Sequence, residues 1–505
     1  MKLGVYIGLS PLLVVTLGGL LLMVAEAFSH RREEGDVRHN GPSSDLAIGT
    51  AIALFAGAVA AAGVWFVGPE KLEGVADAAP YLMIDRFSLF FSFVICLGGG
   101  LTSLLAGGYL PEHKIDRGEF YPLLTFSVVG AIVLASAGDL LSLFLGLETM
   151  SLGVYALTGF RRASPRSNEA AVKYFLLGSF AAALLLYGGA LLYGATGHTD
   201  LAGIRDAIAA GRGVNLALVT IAVLLVLAGL AFKVSAVPFH MWTPDAYEGA
   251  PTPATGFMAV VVKSAAFATL MRVLLVAFGQ PELSSWGAGW PPILAVLAVL
   301  TMTVANLTAG RQESVKRMLA YSSIAHAGYV LVGLVATMRS GGDAQGSVLF
   351  YLLTYTASTI GAFGALVLCG SRGAEAVSYE DLAGVGKRHP AAALAFSLFL
   401  LSLAGVPPTA GFFAKLYVVR AAIGANLYVL AVILLLNSVL GAYYYLRVLV
   451  FMYMREPAPG APIARPMRSG YVATALVLAA VFVIVLGIWP TTSLQMAIEA
   501  SLAQR

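Results

Sequence analysis

The feature that most constrains this chain is an apolar run, long enough to cross a lipid bilayer, that recurs along its whole length. A crossing helix needs about 20 mostly apolar residues, because lipid offers the backbone no hydrogen-bond partners and a helix satisfies its own. Hydrophobic residues make up 59% of the chain and charged residues 11%, and the mean hydropathy is +0.83. A soluble core needs far less apolar surface. The sequence therefore predicts an all-α polytopic membrane protein.

The apolar runs number fourteen, and the connections between them are too short for an extramembrane domain. The predicted spans are residues 4–26, 47–67, 82–108, 118–137, 139–160, 167–195, 215–237, 254–278, 290–309, 315–337, 345–369, 391–419, 425–453 and 470–490. The first run is too long for the apolar core of a signal peptide, and only Lys2 provides a basic residue before it, so we predict a span there. We expect one membrane domain, 1–505, that begins with three helices in 1–117.

Basic residues are unevenly distributed between alternate connections. The connections after odd-numbered spans hold seventeen: Arg31, Arg32, Arg38, Lys114, Arg117, Arg161, Arg162, Arg166, Arg311, Lys316, Arg317, Arg372, Lys387, Arg388, Arg455, Arg465 and Arg468. The connections after even-numbered spans hold five: Lys71, Arg205, Arg212, Arg339 and Arg420. Because basic loops stay in the cytoplasm, we predict a multi-pass membrane protein with both termini on the outer side.

The overall charge and the cysteines support neither nucleic-acid binding nor a metal site. The formal net charge is +4, but the basic residues are scattered over short connections and form no cluster. Cys96 and Cys369 are isolated within apolar runs, so they predict neither metal ligation nor a disulfide. The lipid bilayer is the partner that the composition indicates.

Two of the predicted spans contain helix breaks. Residues 234–238 (VSAVP) break the helix at the end of span seven, and residues 405–408 (GVPP) interrupt span twelve. Proline removes a backbone donor, and at membrane depth irregular backbone is tolerated only where it is buried or lines a cavity. The broken span is fourth of five in both 118–278 and 290–453, which predicts two inverted repeats, helices 4–8 and 9–13. Helix fourteen, at 470–490, follows them. Two unrelated proline kinks are the alternative.

Charged residues also lie inside the predicted spans. The basic ones are Arg86, Lys173, Lys233, Lys263, Arg272, Lys415 and Arg447, and Glu148 is an acid in mid-span. A central charge costs about 2.5–3.5 kcal/mol on insertion scales, so function is the default explanation for it. Arg86, Arg272 and Arg447 stand near span ends, and for these we predict that the side chain reaches the membrane interface.

The deeper residues form a candidate proton path. Burial disfavours a charged ammonium and a nearby carboxylate favours it, so a buried lysine can bind and release a proton, whereas arginine cannot. Glu148 on span five can pair with Lys173 on span six or with Lys233 before the first break. Lys263 and Lys415 follow on spans eight and twelve. In chain order these five residues predict a titratable line across the plane of the membrane.

Two histidines are candidate relays along this line. His240 follows the first break, and His326 lies within span ten. Imidazole titrates near neutral pH and passes protons in either direction. A structural role is the alternative for each histidine, as interhelical hydrogen bonding is for the nearby serines and tyrosines.

Five segments of the chain resemble the antiporter-like subunits of respiratory complex I, and together they cover most of its length. They are GLETMSL (146–152), EAAVKYF (169–175), FKVSAVPFHMWTPDAYEGAPTP (232–253), SSIAHAGY (322–329) and PPTAGFFAKL (407–416). The third is the most specific. Within the family, Lys415 favours the subunits called N, because those called M usually have glutamate at this helix-twelve site.

The resemblance implies a function and a set of partners. It implies fourteen core helices in two inverted repeats with helices seven and twelve broken, and a proton path through Glu148, Lys233, Lys263 and Lys415, with Lys173 also typical of the family. It places NADH, FMN, iron–sulfur clusters and quinone in partner subunits, since this chain shows no dinucleotide fingerprint or cluster motif. The expected partners are other antiporter-like and small membrane subunits.

Other functions remain open at this point. One is a subunit of a multi-subunit cation/proton antiporter or a membrane hydrogenase, within the same superfamily. Another is a non-pumping membrane scaffold whose charges only lock helices together. A substrate transporter would need polar groups that converge on one pocket, whereas the lysines here are separated along the chain.

Overall fold

The protein is a bundle of helices. The computed structural model describes residues 3–33, 43–211, 213–287, 289–370, 375–457 and 464–502. Of the loop cations counted above, Arg38, Arg212 and Arg372 lie outside the described residues, and the side chains of Arg31 and Arg32 are likewise not described. Within the described ranges the chain forms helices, connecting segments and a few isolated bridges. The all-α fold predicted from the apolar runs is confirmed.

The α-helices are numbered in chain order. They are α1 (Leu3–Gly8), α2 (Ser10–Glu33), α3 (Ser43–Val67), α4 (Arg86–Glu112), α5 (Phe120–Ser136), α6 (Leu140–Thr158), α7 (Pro165–Thr196), α8 (Leu201–Ala210), α9 (Leu216–Lys233), α10 (Thr243–Gly249), α11 (Thr252–Phe257), α12 (Lys263–Arg272), α13 (Pro281–Ser284), α14 (Trp290–Ala309), α15 (Val315–Cys369), α16 (Val385–Arg388), α17 (Pro390–Ala404), α18 (Ala410–Gly424), α19 (Tyr428–Met454), α20 (Gly470–Ile488) and α21 (Pro490–Glu499).

Eleven helical segments of the described chain are long and apolar enough to cross a membrane. One of them is the 55-residue α15, in which Gly341 has the non-helical angles φ 55° and ψ −131°. Another, Thr252–Ala277, joins α11 to α12 through a π-helical turn at Met258–Val262 and ends in a second π-helical turn at Val273–Ala277. The helices α5 and α17 are apolar but shorter. The short helix α8, between α7 and α9, was not among the predicted elements.

Three elements form the centre of the bundle. The most apolar stretches of α4 and α15 are 94% buried, and the α11–α12 segment is 89% buried, whereas those of the other candidate spans are between 28% and 56% buried. The outer helices present their apolar residues outward, as α6 does with Leu141, Leu145 and Leu152. This arrangement, with apolar side chains facing outward, suits a protein whose outer surface meets lipid. Polar side chains therefore gather inside, where the functional candidates lie.

Helix starts are fixed by short polar side chains. Asp85 accepts a hydrogen bond from the Ser88 amide at 2.8 Å, and Ser88 closes the capping box on the Asp85 amide. Asp139, Asp200 and Asn215 cap α6, α8 and α9 in the same manner. Such caps satisfy amides that have no partner inside the helix.

The connections gather on two opposite faces of the bundle. On one, which we call the first loop face, Arg161 and Lys316 lie 3.5 and 3.3 Å from Glu375. These residues belong to connections or helix ends that follow odd-numbered predicted spans. On the other, the second loop face, Arg86 lies 3.2 Å from both Glu70 and Glu499, which follow even-numbered predicted spans. The grouping agrees with the alternation of basic residues in the sequence.

Candidate functional site

Lys233 is the last residue of α9, where the first predicted break begins. Its side chain is buried, and Nζ donates to Ser151 Oγ at 2.7 Å and to Tyr155 OH at 3.3 Å, both on α6. The Trp242 indole donates to the Phe232 carbonyl at 3.0 Å, which satisfies a backbone group near the break. The amide of Val237 donates to Thr301 Oγ1 at 2.9 Å. Side chains thus replace the helical bonds that the break removes.

Glu148 lies on α6 one turn before Ser151, on the helix that Lys233 contacts. Its side chain is half-buried, and the buried oxygen Oε1 has no hydrogen-bond partner. No ion pair within 4.0 Å joins Glu148 to Lys233 among the described residues. The acid and the lysine are therefore neighbours on facing helices, but in this structure the ammonium is held by hydroxyls.

Lys263 follows directly after a π-helical turn in the α11–α12 segment. It is 2% exposed, and Nζ donates to Ser323 Oγ at 2.6 Å and to the Ser323 carbonyl at 2.7 Å. Ser323 lies on α15, so this contact joins the halves of the chain that were predicted as repeats. Single π turns within α-helices are frequent at functional sites. No pattern in the sequence predicted this turn.

His326 lies on α15, three residues after Ser323, which Lys263 contacts. Nδ1 is 2.6 Å from Tyr351 OH, and Nε2 is 3.1 Å from Tyr445 OH. Tyr445 also bonds Ser322. The histidine is therefore buried in a hydroxyl network that reaches Ser322, the residue preceding Ser323.

Lys415 lies on α18, just after the second break. Nζ donates to the Ala404 carbonyl at 2.8 Å and to Ser438 Oγ at 2.9 Å, and it lies 5.4 Å from the centre of the Tyr329 ring. Gly405 has a positive φ of 86°, and a Cβ there would lie 3.0 Å from Lys415 Cδ. A side chain at position 405 would be strained and would crowd the lysine. The break thus supplies both an oxygen and the space for Lys415.

The structure does not place Lys173 with Glu148. Lys173 Nζ lies 2.6 Å from Glu169 and 2.8 Å from Asp245, and 44% of its side chain is exposed. Asp245 also pairs with Arg317 at 2.9 Å. The contact between Lys173 and Glu148 that the sequence allowed is absent. Spacing along helices α6 and α7 could not tell which face each residue occupies.

His240 lies apart from the buried lysines. It is half-buried in the connection between α9 and α10, and its Nδ1 has no hydrogen-bond partner. Within the described residues, no direct side-chain hydrogen bond joins it to Lys233 or Lys263. Its relay function stays a prediction.

Arg272 was predicted to reach the membrane interface, and this prediction is wrong. The side chain is 3% exposed and forms two hydrogen bonds with Asp85, at 2.9 and 3.0 Å. The pair joins the end of α12 to the start of α4. A bidentate carboxylate partner makes burial of an arginine tolerable. By contrast, Arg86 at the start of α4 and Arg447, about two turns before the end of α19, are partly exposed.

Sequence reasoning missed a buried cluster around Glu375 on the first loop face. The carboxylate accepts from Thr252 Oγ1 at 2.6 Å and from Tyr109 OH, and it pairs with Lys316 and Arg161. Burial by itself would raise the pKa of Glu375, but the two cations outweigh it and lower this pKa to about 2. Lys316, counted above as a loop cation, is buried here. No pattern in the sequence indicated that a loop glutamate would be enclosed.

The buried cations therefore fall into two groups. Arg272 and Lys316 each have a carboxylate partner. Among the residues that the structure describes, Lys233, Lys263 and Lys415 have only hydroxyl and carbonyl oxygens within hydrogen-bond distance. A lysine of the second group can become neutral without leaving a buried carboxylate unpaired.

The family model described as NADH:quinone oxidoreductase/Mrp antiporter, TM, matches residues 137–441. This range contains all the candidate residues named above. NADH-quinone oxidoreductase subunit N 1 of Sorangium cellulosum (strain So ce56) is 78% identical over 508 residues, which cover 100% of each chain. NADH-quinone oxidoreductase subunit N of Myxococcus xanthus (strain DK1622) is 40% identical, covering 96% of this chain and 95% of the relative.

Solved structures of related complexes have the same fold. A chain of respiratory complex I from Thermus thermophilus with bound Aureothin aligns with a TM-score of 0.78 and 34% identity, covering 97% of this chain and 100% of that one. A chain of the Mrp complex from Dietzia sp. DQ12-45-1b aligns with a TM-score of 0.82 and 23% identity, covering 99% and 97%, which shows a shared fold. This chain belongs to the NADH:quinone oxidoreductase/Mrp antiporter family and, within it, to the NADH-quinone oxidoreductase subunit N group.

Proposed function

We propose that this chain moves protons across the membrane along Glu148, Lys233, Lys263 and Lys415, with His326 as a relay. It does so as a membrane subunit of NADH:quinone oxidoreductase, in which electrons pass from NADH to quinone in partner subunits. Lys173 lies at the edge of the line, where its pairing with Asp245 can adjust the charge near the first break. His240 is a candidate proton relay at the same break.

The observation that carries the proposal is the chemistry around the three buried lysines. Their ammonium groups contact neutral oxygens, although the same protein gives its other buried cations carboxylate partners. A permanent buried charge is expensive without such a partner. Groups that change between the cationic and the neutral form meet this constraint, and that change is the chemistry of proton transfer.

Glu148 is the acid that can shift this balance. Its unpartnered oxygen lies on the helix that provides both hydroxyls to Lys233. A carboxylate that approaches the ammonium favours the charged form, and one that withdraws disfavours it. Movement of Glu148 towards Lys233 would therefore favour protonation of the lysine, and movement away from it would favour release of the proton.

The finer architecture is part of the proposal. We count fourteen crossings by dividing α15 at Gly341, adding α5, and treating α17 with α18 as one broken helix. Helices 4–8, in 118–278, and 9–13, in 290–453, then form two inverted repeats, with helix fourteen at 470–490. A break beside Lys233 and a break before Lys415, each on the fourth helix of its repeat, support this division.

We also propose an orientation and an assembly. The first loop face would meet the cytoplasm and both termini the periplasm of a bacterial inner membrane. NADH, FMN, iron–sulfur clusters and quinone would be bound by partner subunits, and this chain would contact other antiporter-like and small membrane subunits. The partner chains supply the redox energy, and this chain supplies titratable groups.

A charge-preserving substitution tests the proposal. Arginine keeps the positive charge of Lys415 but does not release its proton. In membrane vesicles containing the assembled complex, we expect Lys415→Arg and Lys415→Met to lower NADH-driven proton pumping at least tenfold. Lys387→Arg is the matched control, since the Lys387 side chain is 68% exposed. Pumping is measured with a pH-sensitive dye and is normalised to NADH oxidation by an artificial acceptor, which counts assembled complexes.

The outcome separates the proposal from its alternatives. Full pumping in Lys415→Arg would favour a scaffold in which charge alone locks the helices. Pumping that depends on an added sodium gradient, without NADH, would favour a cation/proton antiporter.

A further inference from the structure

Two asparagines are buried where α14, α15 and α19 meet. Asn306 is 2% exposed and Asn437 is 3% exposed. Their side chains bond to each other, since Asn306 Nδ2 donates to Asn437 Oδ1 at 3.3 Å. Neither residue belongs to the titratable line described above.

Asn306 also holds a tyrosine on each neighbouring helix. Its Nδ2 donates to Tyr329 OH on α15 at 2.9 Å, and its Oδ1 accepts from Tyr444 OH on α19 at 2.9 Å. The amide therefore fixes the position of two hydroxyls at once. Nδ2 also lies 2.7 Å from the Met302 carbonyl of its own helix, so its two hydrogens are shared among Met302, Tyr329 and, at the longest distance, Asn437. The amide nevertheless contacts side chains on two other helices, which makes it a hub of the network.

The network of Asn306 reaches both His326 and Lys415. On one side, the ring of Tyr444 lies 4.5 Å from that of Tyr445, whose hydroxyl contacts His326. On the other side, the Tyr329 ring lies 5.4 Å from Lys415 Nζ.

Asn437 provides a second connection to the same lysine. It directly precedes Ser438, which accepts a hydrogen bond from Lys415 at 2.9 Å. Asn306 is thus connected to the surroundings of Lys415 by two routes, through Tyr329 and through Asn437.

The backbone leaves room for this arrangement. Gly441 lies one turn after Asn437 on α19, and a Cβ there would be 3.3 Å from Asn306 Oδ1 and 3.4 Å from Tyr444 OH. The absence of a side chain at position 441 lets the amide and the hydroxyl approach. The cluster therefore depends on a specific close approach of α19 to α14.

An amide does not titrate in the physiological range, so Asn306 cannot carry the proton itself. We propose that Asn306 is a positioning residue, which aligns Tyr329 and the Ser438 face of α19 with Lys415 for proton transfer between His326 and Lys415. The inference rests on the proposed function of Lys415. Its alternative is an amide that only holds the three helices together.

The test compares Asn306→Leu, Asn437→Leu and the double variant in vesicles with the assembled complex. Asn306→Leu keeps the branched shape and the number of heavy atoms of the side chain and removes its hydrogen bonds. We expect each single variant to lower pumping per assembled complex about tenfold. The double variant should pump no worse than either single variant, because the effects of substitutions within one hydrogen-bonded unit do not add. Thr308→Val is the matched control, because the Thr308 hydroxyl bonds only the Val304 carbonyl of its own helix, at 2.8 Å.

Asn306→Asp gives a readout that a purely structural amide would not produce. A protonated carboxyl can donate a hydrogen bond to Tyr329 as the amide does, whereas an ionised one only accepts. Pumping relative to wild type should therefore be higher at acidic pH than at alkaline pH. The titratable groups that face this position are Tyr329 on α15 and Tyr444 on α19, with His326 and Lys415 beyond them. Tyr329→Phe, which removes one hydroxyl, should lower pumping at all pH values.

Three results would overturn the inference. They are normal pumping per complex in Asn306→Leu and Tyr329→Phe, a loss confined to the amount of assembled complex, and a pH profile of Asn306→Asp parallel to that of wild type. Lys415→Met is run alongside. If Lys415→Met pumps normally, the proposed function fails; if it does not pump while Asn306→Leu does, only the role of Asn306 fails.

Discussion

At the scale of the residue, the partners of a buried cation indicate what it does. Arg272 forms two hydrogen bonds with Asp85, and this pair has the geometry of a permanent structural contact. Lys233 has Ser151 and Tyr155 instead, and the nearby Glu148 is not bonded to it. The hydroxyls hold the ammonium without fixing its charge.

The two hydroxyls around Lys233 should contribute unequally. Ser151→Ala removes the shorter contact of 2.7 Å, and Tyr155→Phe removes the longer one of 3.3 Å. A hydrogen bond to a charged group contributes about 1.5–3 kcal/mol, so we expect pumping to fall roughly tenfold or more in Ser151→Ala and less in Tyr155→Phe. The rates are measured in vesicles and normalised to assembled complex.

Thr149→Val serves as the control for this pair, since Thr149 is an exposed residue of the same helix. Normal pumping in Ser151→Ala, or a larger loss in Tyr155→Phe, would contradict the assignment of the hydroxyls.

At the scale of the element, helix ends are held together by Glu375. Thr252 begins the helix that leads to Lys263, and Lys316 lies at the start of the helix that carries Ser323. Both bind the same carboxylate. The cluster on the first loop face therefore fixes the relative position of the two helices that form the Lys263 contact.

Loss of this carboxylate should destabilise the protein. Glu375→Gln leaves the buried Lys316 and the partly exposed Arg161 without an anion, and breaking a buried pair such as Lys316–Glu375 costs about 3–5 kcal/mol. We expect a lower thermal unfolding temperature of the purified complex in nanodiscs. The double variant Glu375→Gln/Lys316→Met should recover part of the loss, because one uncompensated charge is removed. A double variant that is less stable than Glu375→Gln would contradict this account.

The same substitution has a pH dependence with a definite sign. The pKa of Glu375 is lowered from 4.5 to about 2 in the folded protein. A lowered pKa contributes stability above the unfolded value, and this contribution is lost as pH falls through the folded value. The difference in stability between wild type and Glu375→Gln should be constant near neutral pH and should shrink between pH 4.5 and about 2.

At the scale of the whole molecule, the connections divide into two faces. Arg161, Lys316 and Glu375 meet on one, and Glu70, Arg86 and Glu499 meet on the other. On the positive-inside rule, we predict that the first loop face meets the cytoplasm.

Labelling of single cysteines tests that orientation. The native Cys96 and Cys369 are buried, so the background should be low. An impermeant maleimide added to intact cells with a permeable outer membrane should label Trp489→Cys and Leu3→Cys but not Lys387→Cys, and inverted vesicles should give the reverse. Trp489 and Leu3 are 65% and 75% exposed. Labelling of Trp489→Cys and Lys387→Cys from the same side would disprove the assignment.

The sequence by itself determined the helical membrane fold, the two breaks and the burial of Lys233, Lys263 and Lys415, although not that of Lys316. Apolar length and prolines act locally, and a charge in an apolar run is visible without knowing its neighbours. Asn306 and Asn437 carried the same kind of signal, as amides within apolar runs, and that signal could have found them. The pairing of side chains was not determined in this way. Lys173 binds Asp245 instead of Glu148, Arg272 is buried against Asp85, and Glu375 is enclosed. Those outcomes depend on how helices rotate and which connections meet, which only tertiary packing decides.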